Sequence, residues 1–327
     1  MSEYTGRKIS FGIAREAVRG TAETAADYWL NHMSLGFYPR ADKVVNESAL
    51  GVLHKDNDSA LMSTWAEGDF EMKAGDQSVG MLLLGGFGSV STGDNPDANA
   101  AVKDHTFTFD QSNQPQSFTF FRKDPNVNEA FALGMFDTLE FNAELGGWVM
   151  VTGSLMAKAA EASSATVARI SENEFKPKHI GLRLAANVAG LAGATDMATL
   201  QSVRLTINRN IDRDYALGSQ DPYDISVREI EISGEFVVRH TDAALLDNFL
   251  ADDHQAMRLS IVNSDVTIGD AANPGLVFTL PKVSFDNWEI GQDLGDKVNQ
   301  TVGFRGLYDT TAASAMSAVL TNTVASY

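Results

Sequence analysis

Hydrophobic and polar residues alternate over several stretches of the chain. Thr138 to Leu145 sets Leu139, Phe141, Ala143 and Leu145 against Glu140, Asn142 and Glu144, the period of a half-buried strand. Gly146-Gly147 then offers the positive φ values of a tight two-residue turn, and Trp148 to Met156 returns as the second strand of a hairpin. Ser202 to Asn208 alternates Val203, Leu205 and Ile207 with polar partners, and Ser117 to Arg122, Val227 to Ile232 and Leu259 to Val262 also read as strands. Two short helices are predicted. Each follows a short strand, each opens on an acidic N-cap (Asp76 or Asp242), and each places three apolar residues on one face: Val79, Leu83 and Leu84, or Leu245, Phe249 and Leu250. Ala312 to Ala325, Ala-rich but weakly amphipathic, is a further helical candidate. Arg40 to Ser63 and Gly88 to Pro115 read as two long polar loops, the second holding Asp94-Asn95-Pro96-Asp97.

These elements recur. Gly68-Asp-Phe aligns with Gly234-Glu-Phe at an offset of 166, which also places Asp76 on Asp242 and Leu84 on Leu250. Upstream, Ala49-Leu50-Gly51 aligns with Ala216-Leu217-Gly218. Downstream, Leu139-Glu140-Phe141 aligns with Trp288-Glu289-Ile290, and Leu145-Gly146 with Leu294-Gly295, at an offset of 149. Three blocks in one order, differing only in the lengths between them, predict a duplicated, mainly β domain. The first copy spans residues 1–160, a Ser/Ala/Glu-rich linker 161–178, and the second copy 179–327. The first copy carries the longer segment between helix and hairpin.

Composition narrows the chemistry. There is no cysteine among the 327 residues, which removes disulfides, thiolate metal sites and thiol nucleophiles together. The formal charge is −18 and is spread over both copies, whereas a nucleic-acid grip needs a basic stripe. The six histidines, at 32, 54, 105, 179, 240 and 254, include no pair at ligand spacing. Lys55 to Ser59 resembles the start of a calcium loop but lacks its central glycine. Gly85-Gly86-Phe87-Gly88 has no following Lys-Ser/Thr for a phosphate loop and reads as glycines ending a helix. The four tryptophans read as packing anchors. No catalytic residue, cofactor-binding residue or metal ligand is expected, and the chain is not expected to be an enzyme. Gly80 to Gly88, the most apolar stretch, is far shorter than the ~20 residues of a membrane-spanning helix. The opening MSEYTGRKIS lacks the apolar core of a secretory signal, so the chain is expected to be made and held in a cytoplasm.

The N-terminal run Phe11-Gly-Ile-Ala-Arg-Glu-Ala-Val-Arg-Gly-Thr-Ala, with Tyr28-Trp29-Leu30 after it, resembles the opening of a family of phage tail tube proteins. Gly12, Ile13, Glu16, Gly20, Thr21, Ala22 and Trp29 match its pattern, where the family commonly has a Pro before the Trp and this chain has Ala25-Ala26-Asp27. Leu280-Pro281-Lys282-Val283, Val298-Asn299-Gln300-Thr301, Phe304 and Leu307-Tyr308-Asp309 match toward the other end. The resemblance implies two tandem tail-tube-like β-sandwich domains, each with a short flanking α-helix. It further implies a structural virion protein whose subunits close rings, stacked as a tube through which DNA is ejected without specific binding. Single-domain members form rings of six, so a duplicated chain implies a homotrimer with pseudo-sixfold packing. Gly12, Ile13, Glu16, Gly20, Thr21 and Trp29 are the implied assembly residues, other tail proteins the further partners, and the virion tail the final location. The competing reading is a β-sandwich binding module on a cell or particle surface, which accounts for the strands but gives the duplication no role.

Overall fold

The computed structural model describes residues 4–291 and 294–327. The first copy contributes β1 (Ser10–Arg15), β2 (Tyr28–Leu30), β3 (His32–Leu35), β4 (Tyr38–Asn46) and β5 (Asp58–Lys73). It continues with α1 (Ser78–Phe87), β6 (Gly88–Asp94), β7 (Lys103–Phe109), β8 (Phe118–Lys123), β9 (Asn128–Glu144), β10 (Met150–Ala157) and β11 (Ala160–Ala162). The second contributes β12 (Ile180–Ala185), β13 (Leu200–Asn208), β14 (Ile211–Asp214), β15 (Asp224–Val227) and β16 (Glu231–Arg239). After it come α2 (Ala244–Ala251), β17 (Gln255–Val262), β18 (Gly275–Ile290), β19 (Asn299–Gly306) and β20 (Ser317–Asn322). The fold is mainly β, as the alternation requires.

Pairings follow one scheme in both halves. In the first, β4 and β3 pair with β5, β5 with β10, and β10 with β9. In the second, β13 pairs with β16, β16 with β19, and β19 with β18. The N-terminal part of β9 belongs to a second layer with β8, β1 and β2, as β18 does with β17 and β12. The two long strands thus pass from one layer of a sandwich to the other, and Leu133, at φ 54, marks the bend in β9. β11 and β20 are also counterparts, each pairing with the N-terminal part of its long strand. Between the layers runs a continuous apolar core that includes Phe70, Phe141, Leu205, Phe236, Val302 and Phe304.

Several expectations change. Arg40 to Ser63 is a hairpin of β4 and β5 rather than a loop, and Gly88 to Pro115 contains the β6–β7 hairpin. Polar composition hid β4, which is exposed throughout and lacks alternation, and also β7, where His105, Phe107 and Phe109 do alternate with polar residues but sit within a longer polar stretch. Ala312 to Ala325 is not helical: Ser317 to Asn322 is β20, held between β18 and β7 with Ala318, Leu320 and Asn322 buried. Alanine favours helix only weakly, and two flanking strands outweigh that preference. Val227 to Ile232 straddles the break between β15 and β16. The β9–β10 connection runs over residues 145–149, longer than a two-residue turn, with Gly146 alone of its two glycines at positive φ (83°).

The N-cap of α1 is also corrected. Asp76 turns away to accept from the backbone N–H and side-chain amide of Asn173 (2.9 and 2.8 Å). The free amide of Ser78 is met instead by Glu172, which also accepts from the Ser78 hydroxyl at 2.9 Å. Asp242 does accept from the first amide of α2, that of Ala244, at 3.0 Å. Residues 161–178 pack closely on the first copy: Phe175 is fully buried, and its N–H bonds the Ala74 carbonyl at 3.0 Å.

Candidate assembly site

Two pairs among the six residues of the N-terminal motif act through each other, Gly12 with Trp29 and Glu16 with Gly20. β1 lies between β2 and β8, with Gly12 opposite both Trp29 and Phe121. A Cβ on Gly12 would stand 3.1 Å from the Trp29 ring and 2.9 Å from the Ala26 Cβ, so glycine lets the buried indole lie across the strand and reach Phe121 (6.2 Å between rings). Ile13 points the other way, into the main core, with no exposure. Glu16 is 3% exposed, and its carboxylate is fully used. It accepts from the amides of Gly20 and Leu133, both at 2.7 Å, and from the hydroxyls of Ser117 (2.5 Å) and Thr119 (3.2 Å). It therefore pins both the Gly20 turn (φ 75°) and the strained bend at Leu133. Thr21, whose N–H bonds the Val18 carbonyl at 3.0 Å, is exposed. Five of the six residues shape the arm from within; Thr21 is at its surface.

Beside them stands Arg19, which no spacing rule marks. It donates to Asp224 (2.8 Å), the Ile225 carbonyl (2.7 Å) and the Pro115 carbonyl (2.6 Å), joining the arm to the β14–β15 hairpin of the second copy. Burial pulls Asp224 upward, but bonds from Arg19 and Gln114 outweigh it and hold the carboxyl below its usual range.

The two copies meet along β9 and β13. Seven register pairs run from Ser202↔Glu144 to Asn208↔Thr138, and the bond from the Arg209 N–H to the Asp137 carbonyl (2.7 Å) extends the seam. Eight strands thereby form one antiparallel sheet, in the order β4, β5, β10, β9, β13, β16, β19, β18. Its outer edges are β4, exposed over its whole length, and the C-terminal part of β18, which carries only β19 among the described residues. One face of this sheet packs on the core. The other is polar, because side chains alternate: Glu67, Asp69 and Glu71 on β5, Glu140 and Glu144 on β9, and Glu231, Glu235 and Glu289 beyond the seam. Serine, threonine and asparagine separate them. Arg40, Lys73, Arg204, Arg239 and Arg305 are cations of the same face, four of them paired: Arg40–Glu67 (3.5 Å), Lys73–Glu174 (3.2 Å), Arg204–Glu235 (3.2 Å) and Arg305–Asp286 (3.9 Å).

Helix α1 lies under the seam, and all ten of its residues are buried. Gly86 faces Leu139 and Ile207 from the two sides of the junction, and a Cβ on Gly85 would stand 2.2 Å from the Phe136 ring. Arg209, 1% exposed, donates to the Gly85 carbonyl at 2.8 Å, and burial pushes its pKa down to about 10. A cation at a helix C-terminus meets the negative end of the helix dipole. At the other end, the Tyr327 ring rests on Gly80, and its hydroxyl bonds the Gln77 carbonyl (2.6 Å) and Asn322 (2.7 Å). Asn322 in turn meets the fully buried His105 at 3.0 Å. A further clasp joins the halves at Asp97, whose carboxylate accepts from the amides of Asp270, Ala271 and Ala272 (2.7–2.9 Å). Those bonds hold it far below the usual carboxylate range.

Among the described residues no cluster of three His, Cys, Asp or Glu could hold a metal ion, and no helix is long and apolar enough to cross a membrane. No curated protein matches the chain. The family model of the phage tail tube protein matches residues 6–284, from the N-terminal arm into β18, and the chain therefore belongs to the phage tail tube family.

Proposed function

We propose that this tail component builds the tube itself, as rings of three chains with six similar domains, residues 1–160 and 179–327 being the two domains and 161–178 the join. The observation that carries the reading is the β9–β13 seam. It joins two four-stranded units of the same strand scheme edge to edge, and the resulting sheet still has one free edge of each kind. Pairing β18 of one chain with β4 of the next repeats the junction and removes both edges, as closure of a barrel does. Three repeats of eight strands give a pseudo-sixfold ring. The polar, net acidic face then lines the lumen, where carboxylates repel phosphates and DNA slides without sticking. Stacked rings make the conduit for ejection, attached to other tail proteins; the chain stays in the host cytoplasm until it assembles and has no catalytic role.

Within this reading, Gly12, Ile13, Glu16, Gly20 and Trp29 serve assembly by shaping the arm, and the exposed Thr21 and Val18 at its tip meet a neighbour. Deleting residues 1–29 would strip Phe11, Ile13 and Trp29 from the core, so the truncation is expected to lose the fold as well as assembly. The test is electron microscopy and mass measurement of the purified protein. Hollow rings or tubes with three chains per ring are expected; rings of another chain number, or monomers under all conditions, overturn it.

A further inference from the structure

The two helices occupy counterpart places yet differ in cover. At α1, the chain leaving the seam strand β13 does the covering from across the junction: Ile207 meets Gly86, and Arg209 reaches the Gly85 carbonyl. The offset of 166 places Leu84, Gly85 and Gly86 on Leu250, Ala251 and Asp252. There the C-terminal end of α2 lies open, with Leu250 71% exposed, although Ser284 of β18 bonds Asp252 just beneath it (3.2 Å). This open helix end therefore adjoins the free edge of β18.

The counterpart of β13 is identified by register. Val203 stands opposite Phe236, and Leu35 opposite Phe70, its equivalent. Counting on, Arg40 opposite Trp65 corresponds to Asn208, and Ala41 to Arg209. Residues 41–45 of β4 are all exposed and include Val44 (51%) and Val45 (45%) beside Lys43. They carry the apolar and cationic character that α2 lacks partners for: Leu250 is bare, and Asp252 and Asp253 follow a helix C-terminus that has no basic residue in its last turn.

We propose that the C-terminal end of α2, centred on Leu250 and Ala251, is the docking surface for residues 41–45 of a second copy of this chain. The contact rests on the ring reading above and extends it from the sheet edge to the helix layer. Ala41 stands at the register position of Arg209, Lys43, just past the β4 bulge, brings the cation to the helix C-terminus, and Val44 or Val45 covers Leu250.

The cysteine-free chain makes the test direct. Ala41→Cys and Ala251→Cys, combined in one chain, are treated with a short bismaleimide after assembly, with each single variant as control. Ring-dependent covalent oligomers from the double variant only are the expected result. Rings seen by microscopy without such oligomers overturn the docking surface and leave the ring reading standing; failure of the wild-type chain to form rings overturns both. As a second readout, Leu250→Glu should lower the assembled fraction at least tenfold at fixed concentration with an unchanged monomer unfolding temperature. Assembly at the wild-type level contradicts the proposal.

Discussion

Helices α1 and α2 follow equivalent strands, begin 166 residues apart and lie against equivalent long strands, yet one is wholly buried and the other has only Leu245 buried. The difference comes from what surrounds them. The first half carries the β6–β7 hairpin, whose Phe109 stacks on Phe87 while Phe107 packs tilted beside it, and the second half sends Ile207, Arg209, Asn322 and Tyr327 back over the same helix. Among the described residues α2 has no such hairpin over it and no strand across its seam. Two halves of one strand scheme thus show, in one molecule, a helix with and without a neighbour across its seam. The lesson is that burial of this helix is a property of the junction more than of the repeat.

The largest contrast is expected at the equivalent leucines. Leu84→Ala should cost about 2–5 kcal/mol in a denaturant titration, as deletions in packed cores do, while Leu250→Ala in the free subunit should stay within about 0.5 kcal/mol. Equal effects would break the comparison. Next comes Gly85→Ala. Alanine favours helix over glycine by about 1 kcal/mol, but its Cβ would meet a Phe136 ring already wedged among Phe70, Phe118 and Phe120, so a net loss of about 1–3 kcal/mol is expected.

A smaller effect separates the two caps. Glu172→Ala leaves the buried Ser78 amide unmet and should cost about 1–2 kcal/mol, against about 0.5–1 for Asp242→Ala, whose amide can turn to water. Burial raises the pKa of Glu172 despite its bonds from Ser78, so Glu172→Gln should be milder than the alanine variant. The smallest is a pH effect at His105, one of three histidines, with His32 and His179, whose pKa burial lowers. Burial lowers the pKa of His105, outweighing its bond to Asn322 and the neighbouring Asp104. The unfolded chain, with histidine near ~6.5, then binds the proton first. Stability is full above about pH 6.5 and declines as pH falls through the lowered folded value. His105→Gln should flatten this part of the unfolding-temperature profile between pH 7 and 5, while keeping a hydrogen bond to Asn322 within reach.

Much of the fold was legible. The alternation at Thr138 to Leu145 and Ser202 to Asn208 marked the two strands that form the seam, and the Gly-x-Phe blocks marked β5 and β16, because a half-buried strand must alternate whatever it pairs with. The glycines ending α1 were readable from Gly88, which takes the left-handed conformation (φ 89°). Where exposure or a distant partner decides, the local pattern was silent. The β4–β5 hairpin is exposed throughout β4 and so looks like a polar loop. β20 looks helical because its strand state is imposed by β18 and β7, far away in sequence. Of the motif residues, Gly12 and Trp29 were readable as a pair once β1 and β2 are adjacent. The hub role of Glu16 depends on Ser117, Thr119 and Leu133, which only the folded chain brings near.

By itself, then, the sequence determined a cysteine-free, acidic, mainly β chain built twice from one scheme of strand, short helix and hairpin, since periodicity and repetition are properties of local order. The tertiary structure decided how the copies meet: β9 on β13, Arg209 on the end of α1, Glu172 in place of Asp76, Tyr327 against Gly80. These contacts join residues 58 to 250 positions apart, and edge pairing and helix burial depend on which surfaces are left unpaired after each half has folded, a quantity that no local window of the chain contains.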